Sequence, residues 1–152
     1  MYKDLKLVDS SEVEHVKCEN VKISEIQDIL NVAIPQMKGI MKAKDGVGIA
    51  AIQVGIKKNF SVYKLPESEK YNVIFNGKYI SDGSRIQLSE GCLSYPNGNS
   101  TKTKRYKRIK AIYEIWNEKE KKFERVTRRV KGVEAIILQH EIDHWNGKTI
   151  YI

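Results

Sequence analysis

Residues 132–145 read Gly-Val-Glu-Ala-Ile-Ile-Leu-Gln-His-Glu-Ile-Asp-His-Trp, and the rest of the chain can be understood from this stretch. Apolar residues and two histidines recur in it at intervals of three and four, at Val133, Ile136, Ile137, His140 and His144. That spacing predicts a helix over 132–146, with Gly147 as the glycine that ends it. The face that they share is apolar at its start and carries the histidines at its end. Burial of this face would hold both imidazoles rigidly.

The same helix carries a His-Glu-x-x-His pattern. His140 and His144 lie one turn apart on one face, so both imidazoles can reach a single metal ion. Glu141 lies beside them, where it can take a proton from a metal-bound water. Cys92, in the segment Glu-Gly-Cys-Leu-Ser at 90–94, offers a thiolate as a third ligand. Three protein ligands leave one position open, which is typical of a catalytic rather than a structural metal site.

Each pattern, taken alone, also has an interpretation without catalysis. Cys92 fits a buried structural cysteine in a loop that leaves a strand. The two histidines fit a solvent-facing helix or a non-catalytic metal site, and the apolar face argues against the first of these. A third segment, Gly-Val-Gly-Ile-Ala-Ala-Ile-Gln at 46–53, has two glycines that permit positive φ or a close approach of the backbone to a neighbour. It also fits a helix stop followed by a strand of small residues.

Length and composition predict one domain over residues 1–152, large enough to bury a hydrophobic core. The chain is 41% hydrophobic and 30% charged, and it has no apolar run long enough to span a membrane. Its first residues lack the apolar core of a secretory signal, so we expect a bacterial-type cytoplasm. Reduced thiols at Cys18 and Cys92 fit that compartment better than a disulfide. His15, in a polar segment, is expected at the surface.

The net charge is +8, and much of the excess lies in two clusters. These are Lys102, Lys104, Arg105, Lys107, Arg108 and Lys110 in the first, and Arg125, Arg128, Arg129 and Lys131 in the second. Such a surface could attract nucleic acid, ribosomal RNA or a membrane. A solvated face of alternating strands is the favoured interpretation, because no nucleic-acid motif accompanies the charge. We therefore expect no membrane partner and no specific nucleic acid.

Apolar periodicity predicts an N-terminal helix over residues 22–44. Ser24 is its expected N-cap, Pro35 should kink or split it, and Gly46 should end it. Strands are predicted at 60–62 and 73–75, and a hairpin over 107–130 that turns at 117–122. Several strands with polar outward faces favour antiparallel or mixed β-sheets. The fold class is therefore α+β.

In this order, the segments at 46–53, 90–94 and 139–144 resemble the three signature motifs of the peptide deformylases: Gly-x-Gly-x-Ala-Ala-x-Gln, Glu-Gly-Cys-x-Ser and Gln-His-Glu-x-Asp-His. Every fixed position matches, and the motifs span about two thirds of the chain. The resemblance implies sheets packed around a central, C-terminal metal-binding helix, with an N-terminal helix. It also implies an enzyme that removes the formyl group from the N-formylmethionine of nascent polypeptides and releases formate.

The resemblance assigns the metal ligands to Cys92, His140 and His144, with water or hydroxide as the fourth. The metal is expected to be Fe²⁺ in cells, and Zn²⁺, Ni²⁺ or Co²⁺ in preparations. Metal-bound hydroxide would attack the formyl carbon with Glu141 as general base. The amide of Gln53 and the backbone N–H of Leu93 would then donate to the oxyanion.

Substrate and supporting residues follow from the same resemblance. The methionine side chain is expected to lie against Val47, Leu88, Val133, Ile136 and Ile137. The backbones of Val47 and Gly48 should pair with the peptide as an added strand. Gln139 and Asp143 are expected to support the ligands, and Glu90 to anchor the loop that carries Cys92.

The chain departs from the family pattern in four places. Trp145 replaces an aliphatic residue, and Asn-Gly at 76–77 stands where many members have Asn-Pro. The segment 97–105 lacks the arginine pattern common in the family, so which of Lys102, Lys104 or Arg105 steers the peptide is left open. The sequence ends eight residues after His144, whereas many members continue into a C-terminal helix that helps them dock on the ribosome. This resembles the shortened deformylases of phages and some organelle or compact bacterial forms, so the ribosome is expected only as a transient partner. We also expect a monomer. A phage origin, with action in the host cytoplasm, is a hypothesis.

Two other classes of function use the same residues. A metallopeptidase with a His-Glu-x-x-His helix needs a third ligand downstream, where almost no chain remains. A basic module with a structural metal that binds RNA would fold only with metal, would not hydrolyse peptides, and would bind RNA in a strongly salt-dependent way.

Overall fold

The computed structural model describes residues 2–94 and 101–151. Its N-terminal helical segment consists of a 3₁₀ turn at Ile23–Glu25, α1 at Ile26–Asp28, a π turn at Ile29–Ala33 and α2 at Ile34–Ala43. Further 3₁₀ turns lie at Ser10–Glu12 and Ala51–Val54, and α3 spans Gly132–Trp145. The strands are β1 Gly48–Ala50, β2 Phe60–Tyr63, β3 Asn72–Ser81, β4 Arg85–Glu90, β5 Thr101–Tyr106, β6 Arg108–Asn117 and β7 Lys122–Lys131.

Five strands form one sheet in the order β1-β2-β3-β6-β7, and β4 and β5 form a second, two-stranded sheet. All of these pairings are antiparallel, and β6 pairs with β7 in unbroken register from Arg108 opposite Lys131 to Asn117 opposite Lys122. The α+β class and the hairpin over 107–130 are therefore confirmed. The strand predicted at 73–75 is longer than expected, because pairing with β6 continues it to Ser81.

The five-stranded sheet has one hydrophobic cluster on each face. Along β2, Phe60 and Val62 belong to the cluster formed with the N-terminal helical segment, whereas Tyr63 belongs to the cluster formed with α3. Successive side chains of a strand point to opposite faces, so this alternation places the sheet between the two helices. The α3 cluster holds the helix that carries both histidines against the sheet.

The N-terminal helical segment changes its helix type next to the proline without being interrupted, and it begins differently from the expectation. Ala33 and Ile34 keep right-handed helical backbone angles, and the π turn Ile29–Ala33 lies directly before the α-helical turn that contains Pro35. The expected N-cap at Ser24 is wrong, because the first turn begins at Ile23. The carboxylate of Glu25 instead accepts from the N–H of Lys22 (2.9 Å). The helix ends at Ala43, and the N–H of Gly46 donates to the Met41 carbonyl.

Helix α3 is buried over most of its length, and the exception lies at its start. Val133 is 55% exposed, so the predicted continuous buried face begins one turn later than expected. Gly147 has φ +77° and directly follows the helix cap at Asn146, as predicted. Among the described residues, no helix combines the length and the apolar character that a membrane crossing requires.

The Asn-Gly dipeptide at 76–77 forms an irregularity in β3. The register between β3 and β6 shifts between Phe75 and Lys78, and Asn76 has a positive φ of 43°. A β-carbon at Gly77 would overlap the backbone of Ile112, so only glycine fits here. The Asn76 side chain accepts from the N–H of Val21 (2.7 Å) and donates to its carbonyl. The bulge therefore ties the sheet to the segment that leads into the N-terminal helix.

Candidate metal centre and active-site cavity

Cys92, His140 and His144 converge at one point of the described structure. Their ligand atoms all lie within 4.8 Å of one another, and the Cys92 Sγ lies 3.6 Å from Nε2 of His144. The imidazole centroids of the two histidines are 4.8 Å apart. Both histidines come from α3, and Cys92 lies two residues after β4 ends. The fold thus brings together a thiol and two imidazoles from segments about fifty residues apart.

Glu90 sets the orientation of the His140 ring. Its Oε1 lies 2.8 Å from Nδ1 of His140, so the carboxylate accepts the Nδ1 proton. That tautomer leaves the Nε2 lone pair free to bind a metal ion, as is usual for a histidine ligand with a carboxylate partner. The role expected of Glu90 was to anchor the loop of Cys92. The structure places Glu90 between that loop and a histidine of the metal group.

The surroundings of His140 attract positive charge. Burial alone would lower the pKa of His140, but the Cys92 sulfur and the Glu90 carboxylate outweigh it and raise that pKa to about 10. Burial, with the positive charge of His140, holds the pKa of His144 well below its usual range. The same neighbours that attract a proton to His140 attract a metal ion, which would displace that proton. The donor set of one thiol and two imidazoles fits a borderline-soft divalent cation.

Arg105, one of the three residues considered for steering the peptide, is a buried cation. Its Nε and Nη2 donate to Glu90 (2.6 and 2.9 Å), and its Nη1 donates to Asp143 (2.6 Å). Thr103 also donates to Glu90, and the Tyr79 hydroxyl donates to Asp143 (2.7 Å). Because Arg105 is 6% exposed and doubly paired, it is not placed to steer a peptide. The sequence contained one indication of this burial. Side chains of a strand alternate between its two sides, and within this basic run Thr103 and Arg105 lie on the same side of β5.

The carboxylate of Glu141 lies beside the metal group and is almost completely buried. Burial raises its pKa to about 7, although the nearby charges of His140 and Arg105 act in the opposite direction. Its Oε1 has no hydrogen-bond partner within the described residues. A β-carbon at Gly48 would overlap Oε2 of this carboxylate and lie 3.0 Å from its Cδ. The close approach that the Gly-x-Gly segment permits is therefore an approach to Glu141.

The side-chain amide of Gln53 is held in one orientation. Its Oε1 accepts from the N–H of Ala50 (2.9 Å), which turns Nε2 toward the metal group. There Nε2 donates to Oγ of Ser94 (3.0 Å) and lies 3.6 Å from Sγ of Cys92. Gln53 is 1% exposed, so its donor is aimed by the protein rather than by solvent. Ser94, which the sequence had left without a role, is the acceptor that completes this arrangement.

A cavity of about 630 Å³ opens onto these groups. Val47, Gly48, Ile136 and Ile137 line it, together with Leu93, as expected for a substrate site. The structure does not bring Leu88 or Val133 to the cavity: neither belongs to its lining, and Val133 is exposed at the start of α3. Lys44, Asp45 and Ile150 line it without having been expected. Ile150 reaches the cavity because the chain folds back after α3, a long-range contact with no local sequence signal.

The edge of the five-stranded sheet borders this cavity. Among residues 2–94 and 101–151, strand β1 pairs with β2 alone, and the Val47 carbonyl already accepts from the N–H of Lys64 (2.9 Å). Backbone groups alternate in direction along a strand, so those of Gly48 point to the open edge. The structure therefore offers the backbone of Gly48, rather than the Val47 carbonyl, for pairing with an extended peptide.

The sequence model of the family described as polypeptide deformylase matches residues 7–152. The chain belongs to the polypeptide deformylase family. The peptide deformylase of Wolinella succinogenes is 33% identical over 138 residues, which cover 87% of this chain and 78% of that protein. The polypeptide deformylases are enzymes, and so is this chain.

Solved structures of deformylases show the same fold. The peptide deformylase from Thermotoga maritima superimposes with a TM-score of 0.80 at 29% identity, over 97% of this chain and 95% of that one. A probable peptide deformylase from Synechococcus phage S-SSM7 gives a TM-score of 0.78 at 28% identity, over 97% and 98% of the two chains. The predicted arrangement of sheets around a C-terminal helix is thereby confirmed.

Within this deformylase fold, Gln139 and Asp143 support the site indirectly. Gln139 accepts from the N–H of Tyr106 (2.9 Å) and donates to its carbonyl (2.9 Å), which fixes the end of β5 against α3. Asp143 contacts Arg105 and Tyr79. Both residues hold the strand that carries Arg105, and Arg105 in turn holds Glu90.

Trp145, the departure next to His144, is accommodated by a matching polar group. Its indole is 2% exposed, and Nε1 donates to Oγ of Ser61 (2.8 Å). A buried indole N–H without a partner would be unfavourable, so Ser61 on β2 is what makes the tryptophan acceptable here. The contact also fixes the end of α3 to the central sheet.

Proposed function

We propose that this chain is a single metal-dependent catalytic domain over residues 1–152 that removes the formyl group from N-formylmethionine at the start of nascent polypeptides. Membership of the deformylase family supports the reaction. The observation that carries the mechanism is the convergence of Cys92, His140 and His144 beside the enclosed carboxylate of Glu141. The water oxygen becomes bonded to the formyl carbon, the formamide C–N bond breaks, and the products are formate and a free amino terminus.

The metal would be held by Sγ of Cys92, Nε2 of His140 and Nε2 of His144. Bound there, it supplies a Lewis acid that polarises the formyl oxygen and lowers the pKa of water. We propose Fe²⁺ as the native ion, with Zn²⁺, Ni²⁺ or Co²⁺ as substitutes, because thiolate and imidazole suit these cations rather than Mg²⁺ or Ca²⁺.

Glu141 moves the proton. Its pKa of about 7 lets the carboxylate accept a proton from water near neutral pH and return it to the leaving amine. Enclosure by protein and the close packing of Gly48 restrict where its oxygens can lie. One group can therefore serve as base in the attack and as acid in the departure of the amine.

Two neutral donors would stabilise negative charge on the former formyl oxygen. Gln53 contributes Nε2, whose direction is set by the bond from Ala50 to its Oε1. The backbone N–H of Leu93 is the second donor that we propose. Donors that are fixed before the reaction need not reorient when charge develops on the oxygen. Removal of one such donor from an enzyme typically lowers kcat by about 100- to 1,000-fold.

The substrate would bind as an added strand at the edge of β1. The backbone of Gly48 points to that edge, and extended peptides commonly pair with such a strand. The methionine side chain would lie against Val47, Ile136 and Ile137, which line the cavity. We further propose a monomer that meets nascent chains in a bacterial-type cytoplasm, in transient contact with the ribosome, since the relatives are bacterial.

The deciding experiment measures formate released from a short formyl-methionyl peptide. The protein is loaded anaerobically with Fe²⁺ or Ni²⁺, and a chelated sample serves as the control. We expect metal-dependent formate release in equal amount to new amino termini. Cleavage of an internal peptide bond would instead indicate a metallopeptidase. Absence of both products from protein that holds one metal per chain would refute the proposal.

A further inference from the structure

The five-stranded sheet carries an array of exposed cations, none of which lines the active-site cavity. Residues directly opposite each other on antiparallel strands share one face of the sheet. Arg108 opposes Lys131, Lys110 opposes Arg129, and Glu114 opposes Arg125 on β6 and β7. On β3, Lys78 opposes Ile112, which lies on the same face of β6 as Arg108 and Lys110. We call this surface the basic face, defined by six exposed side chains: Lys78, Arg108, Lys110, Arg125, Arg129 and Lys131.

The basic face is exposed because the N-terminal helical segment covers only part of the sheet. Phe75, Trp116 and Phe123 lie on the same face and pack in the cluster formed with that segment. The sheet continues past them, and its opposite face packs against α3 through Ala111 and Val130. The long hairpin of β6 and β7 therefore has one covered face and one face left to solvent.

Most of the charge on the basic face is unneutralised by protein. Of its six cations, Arg129 alone forms an ion pair among the described residues, with Asp82 at 2.9 Å. Glu114 is half-buried and accepts from the Asn76 amide (2.8 Å). Arg128 points to the other face, where it pairs with Glu134 (2.9 Å). Strand alternation thus places Arg128 with its carboxylate partner on one face and leaves five cations without an ion pair, among the described residues, on the other.

The geometry points to the phosphate backbone of RNA as the partner of the basic face. Opposed side chains on neighbouring strands are about 5 Å apart, and those two residues apart on one strand about 7 Å. The cations therefore form a two-dimensional array rather than a single row. A shallow depression of about 360 Å³, bordered by Lys78, Arg125 and Glu114, lies within the array at the β3 bulge. Such an array matches a polyanion that follows the sheet for about 20 Å.

The composition of the basic face favours RNA over an anionic membrane. Membrane-surface binding combines cations with apolar side chains that insert among the lipids. On the basic face the one large apolar side chain exposed among the described residues is Ile80. The choice of RNA over DNA rests on the proposed function, since nascent chains leave a particle built largely of RNA. Binding there would leave the cavity beside Cys92 accessible, because none of the six cations lines it.

The test compares two variants of equal charge. The first replaces three cations of the basic face (Arg108→Gln, Lys110→Gln, Lys131→Gln). The second replaces three exposed lysines elsewhere (Lys6→Gln, Lys42→Gln, Lys70→Gln). Anisotropy of a fluorescein-labelled RNA hairpin is measured with the metal-loaded protein from about 50 to about 200 mM KCl. Formate release from a formyl-methionyl peptide is measured on the same samples.

We expect the natural sequence to bind the hairpin with an affinity that falls steeply with salt. The basic-face variant should bind at least tenfold more weakly and should lower the slope of log Kd against log salt by about 2 to 3, since each lost phosphate contact removes about 0.9. The control variant should match the natural sequence, and formate release should be unchanged in all three proteins. If formate release fails while RNA binding stays localised, the proposed function is refuted and the RNA site stands.

Three results would overturn the RNA site. The control variant could lose as much affinity as the basic-face variant, which would indicate unspecific attraction by net charge. The natural sequence could fail to bind the hairpin at low salt while sedimenting with phosphatidylserine vesicles. A DNA hairpin of the same sequence could bind more tightly than the RNA.

Discussion

Gly48 and Glu141 are in close contact, and the Glu141 carboxylate occupies the space that a side chain at position 48 would fill. A β-carbon at Gly48 would overlap Oε2 of Glu141 and lie 3.0 Å from its Cδ. Gly48 lies in the edge strand β1, and Glu141 lies in α3. The glycine therefore has a role in addition to backbone pairing, because it leaves the space in which the proposed base lies.

We expect Gly48→Ala to lower kcat by about 100-fold or more while one metal per chain is retained, because the carboxylate would be displaced from its reacting position. Formate release and metal content measure the two effects. Gly39→Ala is the matched control, since a β-carbon at Gly39 meets no atom within 4 Å. That control should keep full activity and unfold at a slightly higher temperature. Full activity in Gly48→Ala would refute the steric argument.

Glu141→Gln tests the proposed movement of the proton. The amide keeps the size of the side chain but cannot accept a proton, so kcat should fall by about 100- to 10,000-fold. Metal content should be unchanged, because Glu141 is not among the ligand atoms that converge on the site. Near-normal turnover by this variant would contradict Glu141 as the general base.

The lowered pKa of Glu90 predicts how the stability of the metal-free protein depends on pH. Burial alone would raise the pKa of Glu90, but hydrogen bonds from His140, Arg105 and Thr103 outweigh it and hold that pKa far below 4.5. Its ionised form therefore stabilises the fold at pH values above about 4.5, and this contribution is lost as the pH falls toward the folded pKa. Glu90→Gln should lower the free energy of unfolding at pH 7 by roughly 1–3 kcal/mol and should flatten the decline in acid. Urea unfolding at several pH values measures both, and parallel pH profiles for the two proteins would contradict the assignment.

Arg105→Met should be strongly destabilising, because it would leave Glu90 and Asp143 buried without their cation. Loss of one partner from a buried ion pair typically costs about 3–5 kcal/mol. Lys104→Met, at the exposed neighbouring position, should change the free energy of unfolding by less than about 0.5 kcal/mol. Thermal or urea unfolding compares the two variants. Equal, small losses would show that the Arg105 network adds little to stability.

Ile136→Ala tests the methionine site. Ile136 lines the cavity, so the smaller side chain should lower kcat/KM for a formyl-methionyl peptide by about tenfold or more, as loss of a hydrophobic contact does elsewhere. Val133→Ala is the control, because Val133 is exposed and does not line the cavity. If Val133→Ala proved the more damaging of the two, the substrate would lie elsewhere on α3.

Local patterns predicted those features whose residues are close in the chain. The intervals of three and four in α3, the alternation in the β6–β7 hairpin and the helical irregularity next to Pro35 all follow from local periodicity or backbone chemistry. The predictions that were wrong concern residues whose contacts are set by tertiary packing. Ser24 was replaced as a cap by the Glu25 carboxylate, and Val133 shares the predicted face of α3 but extends beyond the part of the helix that the sheet covers.

Sequence alone determined the kind of chemistry: a thiol, two imidazoles one turn apart and a carboxylate between them, in motifs that resemble one family. Only the tertiary structure decided which groups make that set work. Arg105 binds Glu90 and Asp143, Gly48 makes room for Glu141, and Ile150 folds back to the cavity. These contacts join residues that lie 15 to 93 positions apart. Strand register and the packing of α3 set such distances, and no local periodicity encodes them.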